Sequence, residues 1–354
     1  MAYATINDPS AHFQTLLYTG GSSSYTNNGN SDLQPDWVWI KARNNAYEHK
    51  LFDSSRGTTK LLVSNSNVAE ATQSGLTAFN SDGFSLGGDG GSNDANTNFV
   101  AWQWKANGGT TASNSDGSVT STVQANTTAG FSIVKYTATG SGDITVGHGL
   151  GAVPEMILTK TRSVSYDWRV YISANGVGGA GKALQLDGNA ALATNNSYPS
   201  PAPTSTVMTM GRGSDDNNNY ANGETLVSYC FRSIKGYSKI GVYKGNGNTN
   251  GPFIYTGFKP AWLLTKRSDA SDNWRLVDST RYPFNDNSAT CLLPNQTNNE
   301  TNSGARNLDL LSNGFKVRTT DPDSNSSDGG STYIYIAFAQ NPLVASNDVI
   351  ALAR

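Results

Sequence analysis

The chain repeats itself three times. An opening stretch begins at Phe13 (FQTLLYTG), Phe131 (FSIVKYTATG) and Tyr237 (YSKIGVYKGNG). Each is followed by a proline, an apolar run and a lysine six residues on: Pro35 to Lys41, Pro154 to Lys160 and Pro260 to Lys266. Arg43, Arg162 and Arg267 come next. Fourteen residues after each proline stand His49, Trp168 and Trp274. Four further on are Asp53, Ile172 and Asp278, and then Arg56, Asn175 and Arg281. DGFSLG from Asp82 matches NGFKVR from Asn313, with VMTMG from Val207 a looser equivalent. Aromatic stretches close each copy: FVAWQW from Phe99, LVSYCF from Leu226 and YIYIAF from Tyr333. A fixed order of features, with the prolines 119 and then 106 residues apart, marks a tandem array of similar units, each near 100 residues, the size of one small domain.

The runs read as strands. Trp37/Trp39, Met156/Leu158 and Trp262/Leu264 share one parity, and Val100/Trp102/Trp104, Val227/Tyr229/Phe231 and Ile334/Ile336/Phe338 form large apolar faces. Period-two apolarity is the signature of a strand packed on one side. Between the strands lie Asn-, Gly- and Ser-rich stretches such as GGSSSYTNNGN and DPDSNSSDGG, which are turn chemistry. Hydrophobic residues make up 36% of the chain and charged residues 15%, but aromatics reach 10%, which argues for folded β-structure rather than disorder.

These features predict an all-β chain of three tandem β-sandwich repeats, jelly-roll or concanavalin-like, joined by Asn/Gly-rich loops. A second sheet is expected over the large apolar face of each. The expected organisation is an N-terminal arm (1–12), repeat one (13–106), a polar linker or edge strand (107–130), repeat two (131–233), repeat three (234–342) and a C-terminal tail (343–354) able to dock on the body or a neighbour. Short helical turns are expected near Val68–Thr72 and Ala305–Leu311. Only Ser233–Gly236 separate repeats two and three, so these should pack closely. The stems of Lys41, Lys160 and Lys266 are expected to cover a sandwich edge while their charges reach water.

Composition also narrows function. Lys plus Arg number 25 and Asp plus Glu 27, a net charge of -2, which lacks the cationic footprint of a nucleic-acid binder. No apolar stretch is long enough to span a bilayer, and the start, MAYATINDPSAH, does not read as a secretory signal. Cys230 and Cys291 read as buried thiols, and no CxxC suggests zinc. His12, His49 and His148 occupy unrelated repeat positions, so packing and loop bonding are favoured over catalysis. No catalytic residues and no cofactor are expected. DPDSNSSDGG begins like a calcium loop, with Asp321, Asp323 and Asn325 as the weak candidate ligands. It then departs at Ser326 and Thr332, where such a loop needs Gly and Glu. Tyr25, Tyr47, Tyr166, Tyr198 and Tyr220 are loop aromatics that could offer a face to a sugar, beside Asn amides that bond its hydroxyls.

The stretches MAYATINDPSAHFQTLLYTG, LQPDWVWIKARN, LFDSSRGTTK, IVKYTATGSGDITVGHGLGAVPEMILTK, GFKPAWLLTKR and YIYIAFAQNP resemble a family of uncharacterised virion proteins of marine tailed bacteriophages. The resemblance covers essentially the whole chain. It implies concanavalin-like β-sandwich domains and a non-enzymatic virion structural protein: a head decoration, fibre or knob. Its partners would be other capsid or tail proteins, its place the virion, and its site of synthesis the host cytoplasm. The alternative is a receptor-binding tail fibre or lectin-like module recognising host glycan; a polysaccharide depolymerase ranks below both. A homotrimer is the arrangement such fibres and knobs often adopt.

Overall fold

A computed structural model describes residues 4–212, 218–283, 285, 290–302, 307–326 and 328–342. The protein is all-β, built from several separate sheets that form no barrel among the described residues. Residues 13–104 supply β1 (Phe13–Thr19), β2 (Ser24–Tyr25), β3 (Trp37–Ala42), β4 (Lys50–Asp53), β5 (Lys60–Val63), β6 (Ala71–Thr72), β7 (Leu76–Asn80), β8 (Gly83–Leu86) and β9 (Asn98–Trp104). The linker contributes β10 (Ala112–Asn114) and β11 (Ser121–Asn126). The second segment holds β12 (Phe131–Thr137), β13 (Ile144–Gly147), β14 (Met156–Thr161), β15 (Arg169–Ala174), β16 (Val177–Gly178), β17 (Lys182–Gln185), β18 (Ala193–Thr194), β19 (Val207–Met210) and β20 (Thr225–Phe231). The third holds β21 (Ser238–Lys244), β22 (Phe253–Tyr255), β23 (Phe258–Arg267), β24 (Arg275–Asp278), β25 (Thr290–Cys291), β26 (Thr301–Asn302), β27 (Leu308–Leu311), β28 (Gly314–Val317) and β29 (Thr332–Pro342). Two one-turn helices, α1 (Gly90–Asn93) and α2 (Pro322–Asn325), lie in the loops before β9 and β29.

One strand order recurs. The main sheets run β1-β9-β3-β4, β12-β20-β14-β15 and β21-β29-β23-β24, all antiparallel. Smaller sheets, β2-β8-β7, β13-β19 and β22-β28-β27, accompany them. The recurring tyrosine of the opening strand pins the loop before the closing strand each time. Tyr18, Tyr136 and Tyr243 donate to the carbonyls of Ser92 (2.6 Å), Asn218 (2.9 Å) and Ser324 (2.9 Å).

The large apolar faces do not lie beneath the smaller sheets, as expected, but meet one another. Trp37, Trp39, Trp102 and Trp104 share a single buried cluster with Met156, Leu158, Tyr229 and Phe231, and with Trp262, Leu264, Ile336 and Phe338. Trp37 stacks on Tyr229 at 4.5 Å, and Trp104 meets Trp262 edge-on at 5.4 Å. The opposite, more modest face of each main sheet packs on its small sheet. Val38, Ile40 and Ala101 cluster with Phe84 and Leu86; Ile157 and Cys230 with Met208 and Met210; Leu263 and Ala337 with Phe315 and Val317. Each main sheet is thus buried on both faces. The bulkiest aromatics go to the centre because three sheets there must fill one common space at interior density.

The segments close into a ring. From the second to the first, Trp168 Nε1 donates to the Val63 carbonyl (2.8 Å) and Arg162 grips Glu70 at 2.9 and 2.8 Å. From the third to the second, Trp274 Nε1 donates to the Gln185 carbonyl (2.7 Å), and Leu192 N bonds the Ser268 carbonyl (2.9 Å). From the first to the third, Arg43 pairs with Glu300 (2.6 Å) and Ser64 Oγ donates to the Pro294 carbonyl (2.7 Å). His49, at the position of the two tryptophans, is buried with the Leu293 carbonyl facing it. The arm also belongs to this body: Ile6 enters the shared cluster, and Thr5 N bonds the Lys235 carbonyl.

Some local expectations need correction. Ala71–Thr72 and Leu308–Leu311 are strands rather than helical turns, each paired along an edge; Ala305 lies outside the described residues. So does the C-terminal tail, 343–354, and the expectation that it docks.

Candidate functional site

Most charged groups that recur in the sequence are spent inside the ring. Lys41, Lys160 and Lys266 do not reach water: all three are fully buried. Lys41 Nζ donates to the carbonyls of Ala42 (2.9 Å) and Asn45 (3.2 Å), and Lys266 Nζ to that of Arg267 (2.5 Å). Lys160 Nζ donates to the carbonyls of Tyr166 (2.6 Å) and, across the segment boundary, Asn67 (2.9 Å). The ammonium sits over loop carbonyls that would otherwise be orphaned. Burial pushes Lys41 and Lys266 down to about 8. Below pH 8 both amines are charged in the folded and unfolded chain alike, and the folded state carries the full burial cost. Between about 8 and the ordinary 10.5 the folded chain holds fewer protons, so stability should rise with pH. Denaturant midpoints at pH 7, 8 and 9 are expected to increase in that order. In a K41M/K266M variant the increase should flatten.

Asp53 and Asp278 form the other recurrent constellation. Asp53 pairs with Arg56 and accepts from Tyr229 Oη at 2.6 Å. Asp278 pairs with Arg281 (2.5 Å) and accepts from Trp102 Nε1 at 3.0 Å. At the third equivalent place stand Ile172 and Ile336, both in the shared cluster. The polar set is therefore replaced as a whole there, which accounts for the missing Asp and Arg of the second segment.

The tyrosines singled out from the sequence do not form one surface. Tyr25 is half-buried on Tyr18 (4.2 Å), with its hydroxyl on Asn93 (2.8 Å). Tyr47 is half-buried and bonds Asp94 (2.9 Å). Tyr198 is not a loop aromatic at all. It is 1% exposed, packs on Tyr171 and reaches the Arg169 carbonyl at 3.0 Å, because the second small-sheet cluster needs its ring. Tyr166 and Tyr220 do come together, edge to face at 5.7 Å and, like Tyr25 and Tyr47, half-buried.

The calcium-like loop is folded around its own side chains. Asp321 caps α2 by accepting from Asp323 N (3.0 Å), and Asp323 accepts from Asn273 N (3.1 Å). Asn325 accepts from Asn246 N (2.7 Å) and donates to the Thr319 carbonyl (2.8 Å). Among the described residues no three His, Cys, Asp or Glu side chains gather as a metal set. Burial depresses His12 and His148 and lifts Cys230 to about 12. Cys291 is also buried.

Sequence reading missed a cleft of about 440 Å³ between the second and third segments. Its floor is β21 at Ser238–Ile240, one wall is Tyr255–Gly257, and Glu155 and Ser233 form the other. Lys239 Nζ donates to the Tyr255 carbonyl (2.7 Å) and lies 5.5 Å from that ring's centroid. Burial lowers the Lys239 ammonium from its ordinary value. Glu155 Oε2 accepts from Ser233 N (2.6 Å). Phe253 and Tyr255, on alternate positions of β22, are 46% and 53% exposed. The available signal was the GPFIYTG stretch, whose aromatics flank the single buried Ile254. The cleft offers an aromatic face, one cation, one carboxylate, hydroxyls and strand backbone, which is a set for binding.

Fold and cleft define an all-β protein in which three like-ordered sheets enclose one aromatic centre and leave a polar-walled groove. The chain belongs to the family described as Domain of unknown function (DUF7483), whose model matches residues 8–342. No curated protein and no solved structure matches it.

Proposed function

We propose that the chain is a non-enzymatic structural protein of a bacteriophage particle, acting in assembly or surface adhesion. In this reading each segment is one β-sandwich repeat, main sheet against small sheet, over 13–106, 131–233 and 234–342. The observation that supports it most is the closed ring. Lys160, Arg43, Arg162, Asp53, Asp278, Trp168 and Trp274 all bond across a segment boundary, which makes one body with Asn-, Gly- and Ser-rich loops outside. Such a body suits packing and contact. Phage origin rests on the sequence resemblance. Mass spectrometry of purified particles should find the chain at many copies per particle, and a cryo-electron map should place it on head or tail. Its absence from particles would sink the reading.

The Tyr166–Tyr220 pair, edge to face and half-buried, favours a second reading, recognition of host glycan through an aromatic face. A glycan array should then show binding that Y166A/Y220A abolishes.

A further inference from the structure

The three segments differ in how the open side between their two sheets is filled. In the second, the linker fills it. β11 pairs antiparallel with the edge of β12, setting Gln124 opposite Ile133 and Thr122 opposite Lys135. The same stretch reaches the small sheet through a Val119–Val146 bridge and a bond from Ser121 Oγ to the Gly147 carbonyl (2.7 Å). In the first segment the Gln14 side chain spans the gap, donating to the Ser31 carbonyl and accepting from Gly29 N (2.8 and 2.9 Å). A recess of only about 290 Å³ remains.

In the third segment the equivalent strands are β21 and β22, and the gap is the cleft of about 440 Å³. β21 ends its sheet, with no strand beyond it among the described residues. Ser238 exchanges both backbone bonds with Ile234, on the side away from β29 (2.9 and 3.1 Å). Alternate residues of an antiparallel strand turn their peptide groups the same way, so Ile240, Val242 and Lys244 also face the open side. Ile240 N is taken by Ser233 Oγ (3.0 Å), as the start of a pairing strand would take it. Beyond that point the chain leaves, and the Val242 and Lys244 groups face outward on the edge that continues from the cleft, whose far wall carries Tyr255. A bare edge next to exposed aromatics is the geometry of strand addition.

We propose that the β21–β22 cleft takes an extended strand from a neighbouring protein chain, running antiparallel to β21 as β11 runs along β12. The occupant is an uncharged Ser/Thr/Val/Gln-type segment, since that is the chemistry of the strand filling the equivalent gap. The inference rests on the assembly reading and names its joint.

The probe is the peptide GSVTSTVQAN, residues 117–126 of this chain, added in excess to the full-length protein. Amide hydrogen exchange at Val242 and Lys244 is expected to slow about tenfold. A peptide with proline at the Thr122 position, opposite Lys135 in the internal pairing, should give no slowing. V242P removes an outward donor that edge strands can spare, and should abolish uptake with little change in melting temperature. The proline peptide keeps the test decisive if V242P misfolds. Unchanged exchange along β21, equal protection of β1, or displacement of the peptide by a glycan overturns the proposal. Self-association through β21 without peptide overturns it too. Uptake by a chain absent from particles would uphold the joint and sink the particle role. A chain abundant in particles that ignores the peptide sinks the joint alone.

Discussion

Expressed alone, residues 131–233 are expected not to fold, and the full chain is expected to unfold in one transition. Met156, Leu158, Trp168, Val227, Tyr229 and Phe231 are each at most 3% exposed. Much of that cover comes from other segments: Trp37 lies on Tyr229, and Phe338 meets Phe231 at 6.0 Å. Cutting the ring would bare this whole face to water, and a small domain has little stability to lose. Circular dichroism and calorimetry check both statements. A folded fragment, or three separate transitions, would show the segments to be independent. Within the intact chain Trp37→Ala should cost about 3–5 kcal/mol, because its ring contacts both its own sheet and the second segment.

Strands, their order along the chain and their parity were legible because each depends on local alternation. Where the large faces go was not. Trp37/Trp39 and Val38/Ile40 are both apolar, so the pattern along β3 does not say which pair meets the small sheet and which meets two other sheets. The lysines misled for a similar reason. A lysine after an apolar run reads as a snorkelling side chain, yet one of the carbonyls that receive Lys160 belongs to Asn67, 93 residues earlier. Tyr198 sat among Asn, Ser and Pro and looked like a loop residue. Its burial comes from Tyr171 and strand ends distant in sequence. The cleft was invisible because it is a missing strand, seen only when the second segment shows what fills that place.

Replacing Asp53 or Asp278 with alanine should cost about 3–5 kcal/mol each, since either change leaves a buried guanidinium without its carboxylate. Burial works against the Arg56 charge, but Asp53, Tyr229 and Glu70 hold its proton more firmly than in water. Removing Asp53 also strands the Tyr229 hydroxyl, a partner 176 residues away. Because the members act together, D53A/R56A should cost at least about 1 kcal/mol less than the two single changes summed. The remaining equivalent place provides the converse. Ile172→Asp puts a carboxylate where no arginine waits, and should be as damaging as D53A. Asn175→Arg, at the sequence offset used by Arg56 and Arg281, should not rescue it, because Asn175 turns the β15–β16 hairpin at φ 47° and is not placed as those arginines are. Guanidinium unfolding of the variants, at unchanged slope, measures each term. Strict additivity at Asp53 and Arg56 would mean the two act as separate surface-like contacts rather than as one buried joint between segments.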